Sequence, residues 1–197
     1  MRIVLYPDPI LRRTAGPVVS IDGELRRVAR EMFDTMYGAS GVGLAATQVG
    51  LLLRLFVLNL TGEPGDELVF INPEMLRESG EQMVEEGCLS LPGVTGSIRR
   101  PVEVVVRGYD LKGKEVEYEC RDLCARAVCH EVDHLEGRLI IDRMGPAARL
   151  SNRARLKELE EEYRSTDSST REWEAAGIDT GRQAGTDASA ATTNSDS

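Results

Sequence analysis

Both histidines of this 197-residue chain lie in one run, His130-Glu131-Val132-Asp133-His134. Side chains four apart on a helix share a face, so the two imidazoles can bind one metal ion. Glu131, next to the first of them, is placed to take a proton from a water on that ion. Two ligands do not complete a site. The extended arrangement with a third histidine six residues on would need histidine at position 140, where the sequence has Ile140. A later glutamate, Glu158 or Glu160, is another option, but both lie in a mixed-charge stretch where Arg155 and Lys157 are their natural partners. Cysteine is the remaining one. Cys88 sits in EEGCLSLPG, between glycines and outside helical or strand periodicity, a poor place for a thiol kept only for packing. Cys129, on an apolar stretch, fits core packing better. Cys120 and Cys124 read as core or strand-end packing, and the spacing of these cysteines matches neither a zinc ribbon nor an iron–sulfur pattern.

These residues need elements to hold them. The spacing of Leu123, Ala127, Val128 and Leu135 predicts a helix over 121–135, stopped at Gly137, with the histidine pair on it. Residues 1–20, with Pro7, Pro9 and Pro17, read as an extended arm. Ser20 or Asp22 then caps a helix whose apolar positions are Leu25, Val28, Ala29, Met32, Phe33 and Met36, ending at Gly38. A glycine-rich turn over 41–50 leads into a buried strand at 53–60. Residues 68–73 read as a strand followed by a polar loop, and 102–110 with 115–120 as a hairpin turning at Lys112-Gly113. A mixed-charge helix closes the domain at about 147–164. Residues 165–197 carry too little apolar surface to offset their ordering entropy and are expected to be disordered. There are no internal repeats.

Composition narrows the classes. The formal net charge of −9 makes the chain a poor general binder of phosphate backbones, and with aromatics at 5% no base-stacking platform is expected, so direct sequence-specific nucleic-acid binding is excluded. No apolar run approaches the roughly 18 residues of a membrane helix. The opening MRIVLYPDPI does not read as a secretory leader, so a cytoplasmic setting with reduced thiols is expected.

Together, GVGLAATQ ending at Gln48, EGCLSLPG at 86–93 and HEVDHLEG at 130–137 resemble the three signature segments of the peptide deformylase family, in the same order. The PDPILR opening and the helix after it are also similar, so the resemblance spans residues 1–164, a single catalytic domain. It implies an α+β fold of small, mainly antiparallel sheets packed around a central helix bearing the HExxH pair. It implies a hydrolase that removes the formyl group from N-terminal formylmethionine of nascent peptides, leaving formate and a methionyl peptide. The implied metal ligands are Cys88, His130 and His134. Glu131 is the implied proton carrier, and the side chain of Gln48 and the backbone N–H of Leu89 the oxyanion donors. Val42, Gly43, Gly87 and Leu89 would meet the peptide main chain, with Glu86 and Arg100 as a supporting salt bridge and Asp133 orienting the site from behind. One divalent ion is implied, with Fe(II) favoured; zinc, nickel or cobalt suit the same ligands. Cys129 stands where many members carry glutamine, and Thr95 near a place where some carry a peptide-holding arginine. Some members dock on the ribosome through a basic C-terminal helix, so transient ribosome contact is a further implied partner. Two other readings are an HExxH zincin-type metallopeptidase with a glutamate third ligand, and a non-catalytic metal-binding relative.

Overall fold

The computed structural model describes residues 1–175. Helix α1, Gly23–Gly38, begins where Asp22 accepts the Leu25 N–H at 3.0 Å, and it buries Leu25, Val28, Ala29, Met32 and Met36 on one stripe. Its outer face is solvated and carries Arg27 paired with Glu24 and Glu31.

A five-stranded antiparallel sheet has the order β1-β2-β3-β6-β7, formed by Gly43–Ala45, Leu55–Leu58, Leu68–Ser79, Glu103–Tyr109 and Glu115–Arg121. A separate two-stranded sheet pairs β4, Gln82–Cys88, with β5, Leu91–Arg100. Strand β2 is a continuous apolar run because both its faces are covered. Leu55 and Val57 pack into the cluster around α1, whereas Phe56 and Leu58 face helix α2, Leu123–Leu135. α2 thus lies against the sheet, flanked by the β4–β5 pair, and almost all of its second half is buried. The expected α+β arrangement around the HExxH helix is what forms. Two short helices follow, α3, Ile140–Arg143, and α4, Pro146–Ser151, and then the long α5, Arg153–Ala175.

Several local expectations are corrected. The polar loop after residue 73 is strand: β3 runs on to Ser79, pairing with β6 through two register shifts, one at Asn72 with φ of 52°. Cys88, outside strand periodicity in the sequence, is the last residue of β4. Cys120 and Cys124 are not separate packing thiols but a disulfide, with Cα atoms 5.0 Å apart, because the sharp turn at Asp122 (φ 49°) folds the first turn of α2 back on the end of β7. The closing helix divides at Asn152 into α4 and α5, and α5 continues to Ala175, past the expected limit at 164. The rest of the tail expected to be disordered, 176–197, lies outside the described residues.

The arm of residues 1–20 is extended only in part. It has a cis Tyr6-Pro7 bond and a 3-10 turn over Pro9–Arg12 that buries Leu11 completely. Its backbone N–H groups reach three separate segments: Val4 to the Gln48 carbonyl, Tyr6 to Ser90 and Ala15 to Leu135, each at 2.8 Å. Gly137 (φ 71°) passes so close that a Cβ there would lie 2.5 Å from the Arg12 carbonyl oxygen.

The aromatic centre of the sheet is the pair Phe56 and Phe70, with ring centroids 4.7 Å apart, and Tyr118 edge-on to Phe70 at 5.2 Å. Phe70→Ala is expected to lower the unfolding free energy by about 3–5 kcal/mol. Val19→Ala, at a position 96% exposed, should change it by less than about 0.5 kcal/mol. Urea unfolding of the two variants checks this contrast.

Candidate active site

α2 projects His130 and His134 from one face, with rings 5.0 Å apart, toward the end of β4, where Cys88 stands. The Cys88 Sγ lies 3.2 Å from His134 Nε2, and one donor atom from each of the three residues falls within 4.8 Å of the others. Among the described residues this is the cluster of three side chains able to hold a metal. One thiolate and two imidazoles with an open side are the donor set of a catalytic divalent site, not of a closed structural one. Burial keeps His134 well below its usual pKa, and the nearby His130 pushes it the same way. Glu158 and Glu160 are engaged elsewhere, Glu158 with Arg155 and Glu160 accepting the Tyr6 hydroxyl, so neither joins the pair.

Glu131 is buried between the helix and β1. Burial raises its carboxyl to about 7, partly opposed by the charge of His130. Its Oε2 has no partner, and such a buried orphan marks a place for a polar guest. Space for it exists because residue 43 is glycine: a Cβ there would lie 2.5 Å from Glu131 Oε1 and 2.7 Å from Leu58. Gln48 sits in the 3-10 turn Ala46–Val49, where its Oε1 accepts the Ala45 N–H at 2.9 Å. That bond turns its amide nitrogen toward Cys88 Sγ (3.6 Å) and Ser90 Oγ (3.2 Å).

Behind the histidines lies a buried ionic lattice. Glu86 Oε2 is 3.1 Å from His130 Nδ1. Arg100 donates to both oxygens of Glu86, at 2.8 and 3.0 Å, and to Asp133 at 2.6 Å. Arg143 and Arg138 meet the other side of Asp133. Burial works against the Glu86 carboxylate, but His130 and Arg100 outweigh it and hold its pKa down at about 2. Burial alone would lower the His130 imidazolium, yet hydrogen bonds to Cys88 and Glu86 hold it well above its ordinary value.

An open cleft of about 380 Å³ leads to the cluster. The structure brings Val42, Gly43, Gln48, Gly87, Cys88, Leu89 and His130 together in its walls, and Glu131 and His134 line up behind them on α2. The cleft lies between two unpaired strand edges, since β1 ends its sheet and β4 pairs only with β5. Sequence reading missed Leu123, Arg126 and Ala127 on its α2 wall, although helical spacing from His130 places 123 and 127 seven and three residues back and 126 four back. It also missed Arg143 and Arg138, which no local pattern connects to Asp133.

A family model described as polypeptide deformylase matches residues 1–150. The chain belongs to this family. Curated relatives named peptide deformylase include one from Rhodopirellula baltica, 42% identical over 84% of this chain and 83% of its own length. Another, from Clostridium botulinum, is 51% identical over 70% of this chain and 92% of its own. Among solved structures, a peptide deformylase from Plasmodium falciparum superposes with a TM-score of 0.81 at 40% identity, covering 84% of this chain and 98% of that one. Peptide deformylase 1B from Arabidopsis thaliana also gives 0.81, at 41% identity, over 84% and 93%. The enzyme is a metal-dependent hydrolase that removes the N-formyl group from nascent peptides.

The lattice has a measurable signature. Because the Glu86 pKa is depressed from 4.5 to about 2 on folding, its ionic contribution is complete above 4.5 and is lost as the pH falls through that window. Glu86→Gln should therefore be less stable than wild type at pH 7, with the difference shrinking toward zero near pH 2. Urea midpoints of both proteins in chelator, measured at pH 7 and pH 3, follow the difference without a contribution from metal affinity.

Proposed function

We propose that Cys88, His130 and His134 hold one divalent ion, Fe(II) in the cell, and that the surrounding side chains carry out deformylation in named roles. The observation that carries this is the meeting of those three ligands with an unpartnered Glu131 oxygen at the floor of an open cleft. The donor set also accepts zinc, nickel or cobalt, and Fe(II) rests on the family resemblance. When bound, such an ion supplies a water activated for attack at neutral pH and polarises the formyl carbonyl.

Glu131 takes the proton of the attacking water and delivers it to the departing amine nitrogen. Its pKa of about 7 suits both halves of that transfer. As charge builds on the formyl oxygen, the Gln48 amide nitrogen and the Leu89 N–H donate to it. The Ala45–Gln48 bond prepares the amide in advance, so little reorganisation is needed during the reaction. The peptide lies extended between the β1 and β4 edges, with main-chain contacts at Val42, Gly43, Gly87 and Leu89. Water adds across the formyl C–N bond, giving formate and a free methionyl amine. Glu86, fixed by Arg100, holds His130 through its Nδ1 and so fixes which nitrogen faces the ion.

Nascent formylmethionyl chains place the enzyme in the compartment where they are made, the cytoplasm, and no helix among the described residues is long and apolar enough to cross a membrane. Transient ribosome contact through the C-terminal helix has little behind it. Arg149 donates to the Met144 and Asp142 carbonyls, and Arg155 is paired with Glu158 and Glu162.

Enzyme prepared anaerobically with Fe(II) is expected to release formate from formyl-Met-Ala-Ser. Glu131→Gln should keep its metal yet lose at least about 100-fold in kcat. Gln48→Ala should lose about 100- to 1000-fold. Cys88→Ala should lose the metal itself. Formate assays beside metal analysis separate these outcomes, and cleavage of an unformylated peptide by a Cys88 variant that keeps its metal would favour the metallopeptidase instead.

A further inference from the structure

We propose that the Cys120–Cys124 pair is a redox switch that sets how firmly the α2 wall of the cleft is held, and so how well the peptide binds. The proposal rests on the peptide using this cleft and on the cytoplasmic setting, both proposed above. A reducing compartment does not keep permanent staples: disulfides there are mostly transient and respond to the thiol pool.

The two sulfurs belong to different elements. Cys120 is 2% exposed and pairs in register with Val104 in the β6–β7 ladder, so it is a fixed anchor. Cys124 is half-buried in the first turn of α2, next to Leu123, which with Arg126 and Ala127 lines the cleft. That turn has few other holds. The Asp122 side chain caps no N–H, and the first turn carries no acidic residue. Two backbone bonds secure it, from the Asp122 N–H to the Val102 carbonyl at 2.9 Å and from the Arg126 N–H to the Asp122 carbonyl at 3.0 Å. The disulfide therefore stands in for a helix cap and ties the start of α2 to the sheet. It joins residues only 4 apart, and so short a loop constrains the unfolded chain less than a long one, so opening it acts mainly on local order. The second half of α2, with both histidines, is held by the Glu86–Arg100–Asp133 lattice, so reduction leaves the metal ligands in place.

Exchange with a low-molecular-weight disulfide such as oxidised glutathione balances the change. Cys124, the more accessible thiol, attacks one glutathione sulfur and releases one reduced glutathione. Cys120 then attacks the Cys124 sulfur, closing the protein disulfide and releasing the second. Two electrons pass to glutathione disulfide, and the two cysteine protons end on the thiols released. Reduction by thiols is the reverse.

The test incubates enzyme loaded with Ni(II), which the same ligands accept, in mixtures of reduced and oxidised glutathione, with metal content checked in each. Alkylation and mass spectrometry read the state of the pair. Formate release from formyl-Met-Ala-Ser gives kcat and KM, and amide hydrogen exchange follows residues 123–128. The pair should pass from dithiol to disulfide within these mixtures. The disulfide form should show a KM lower by about threefold or more at unchanged kcat. Exchange at Arg126, Ala127 and Val128 should be slower by about tenfold in that form. The double variant Cys120→Ala with Cys124→Ala should keep the dithiol KM in every mixture. A pair that stays in one state throughout, a KM indifferent to that state, or a double variant that responds as wild type does would overturn the proposal. If the double variant does not fold, the wild-type titration decides. No formate in either state would count against the proposed reaction instead, and the exchange rates would still show whether the first turn is switched.

Discussion

The buried guanidinium of Arg100 is the constraint on which the site depends. It leaves β5 only 3% exposed, closes a two-pronged contact on Glu86 of β4 and reaches Asp133 of α2. Both strands of the two-stranded sheet and helix α2 are thereby locked at one point. Taking these charges from water is costly, and the arrangement persists because every oxygen facing the guanidinium is engaged. A well-packed apolar replacement could match its stability. It could not orient His130, whose Nδ1 needs the Glu86 oxygen, so positioning rather than net stability explains charge in this location. Arg143 and Arg138 complete the balance from outside, so Asp133 does not face Arg100 alone.

A second constraint is the lacing of the three motif segments by the N-terminal arm. Hydrophobic packing is non-directional and cannot set Gln48, the Cys88 turn and the end of α2 in mutual register. The arm does so with directed bonds to the carbonyls of Gln48, Ser90 and Leu135, one in each segment. The pyrrolidine rings and the Asp8-capped turn shape it for that path, and Gly137 allows the helix end to touch it. The arm that reads from sequence as merely extended is thus what holds the catalytic pieces in one frame.

Much of this was legible in the residues. The histidine spacing located the central helix, the unbroken apolar run of β2 announced burial on both faces, and Lys112-Gly113 marked the β6–β7 hairpin. What escaped depended on partners far along the chain. The outer half of β3 is polar and mostly exposed, so it has no periodicity of its own; pairing with β6 makes it strand. Cys88 fell outside strand periodicity because a register shift after Gly87 precedes its pairing with Leu91. The Cys120–Cys124 bond follows from the positive φ at Asp122, a backbone turn that the period of the apolar residues does not reveal. Arg143 joins the lattice through tertiary folding alone, while Arg126 was within reach of helical spacing had the face been read one turn back from His130.

The chain gives up packing where chemistry needs room. At Gly41 a Cβ would come within 2.7 Å of Leu89, and at Gly43 it would strike both Glu131 and Leu58. Any side chain at either place would fill the cleft or displace the carboxylate, so the opening is built by omission beside an otherwise close-packed sheet. Glu131 then sits where burial opposes its charge and one of its oxygens goes unmatched. Local rules of polar satisfaction are broken at Glu131 Oε2, as they are at His134 Nδ1, and kept a few ångströms away in the Glu86–Arg100–Asp133 lattice. That contrast separates the two kinds of buried charge in the molecule: the satisfied set fixes positions, and the unsatisfied carboxylate remains available to move a proton.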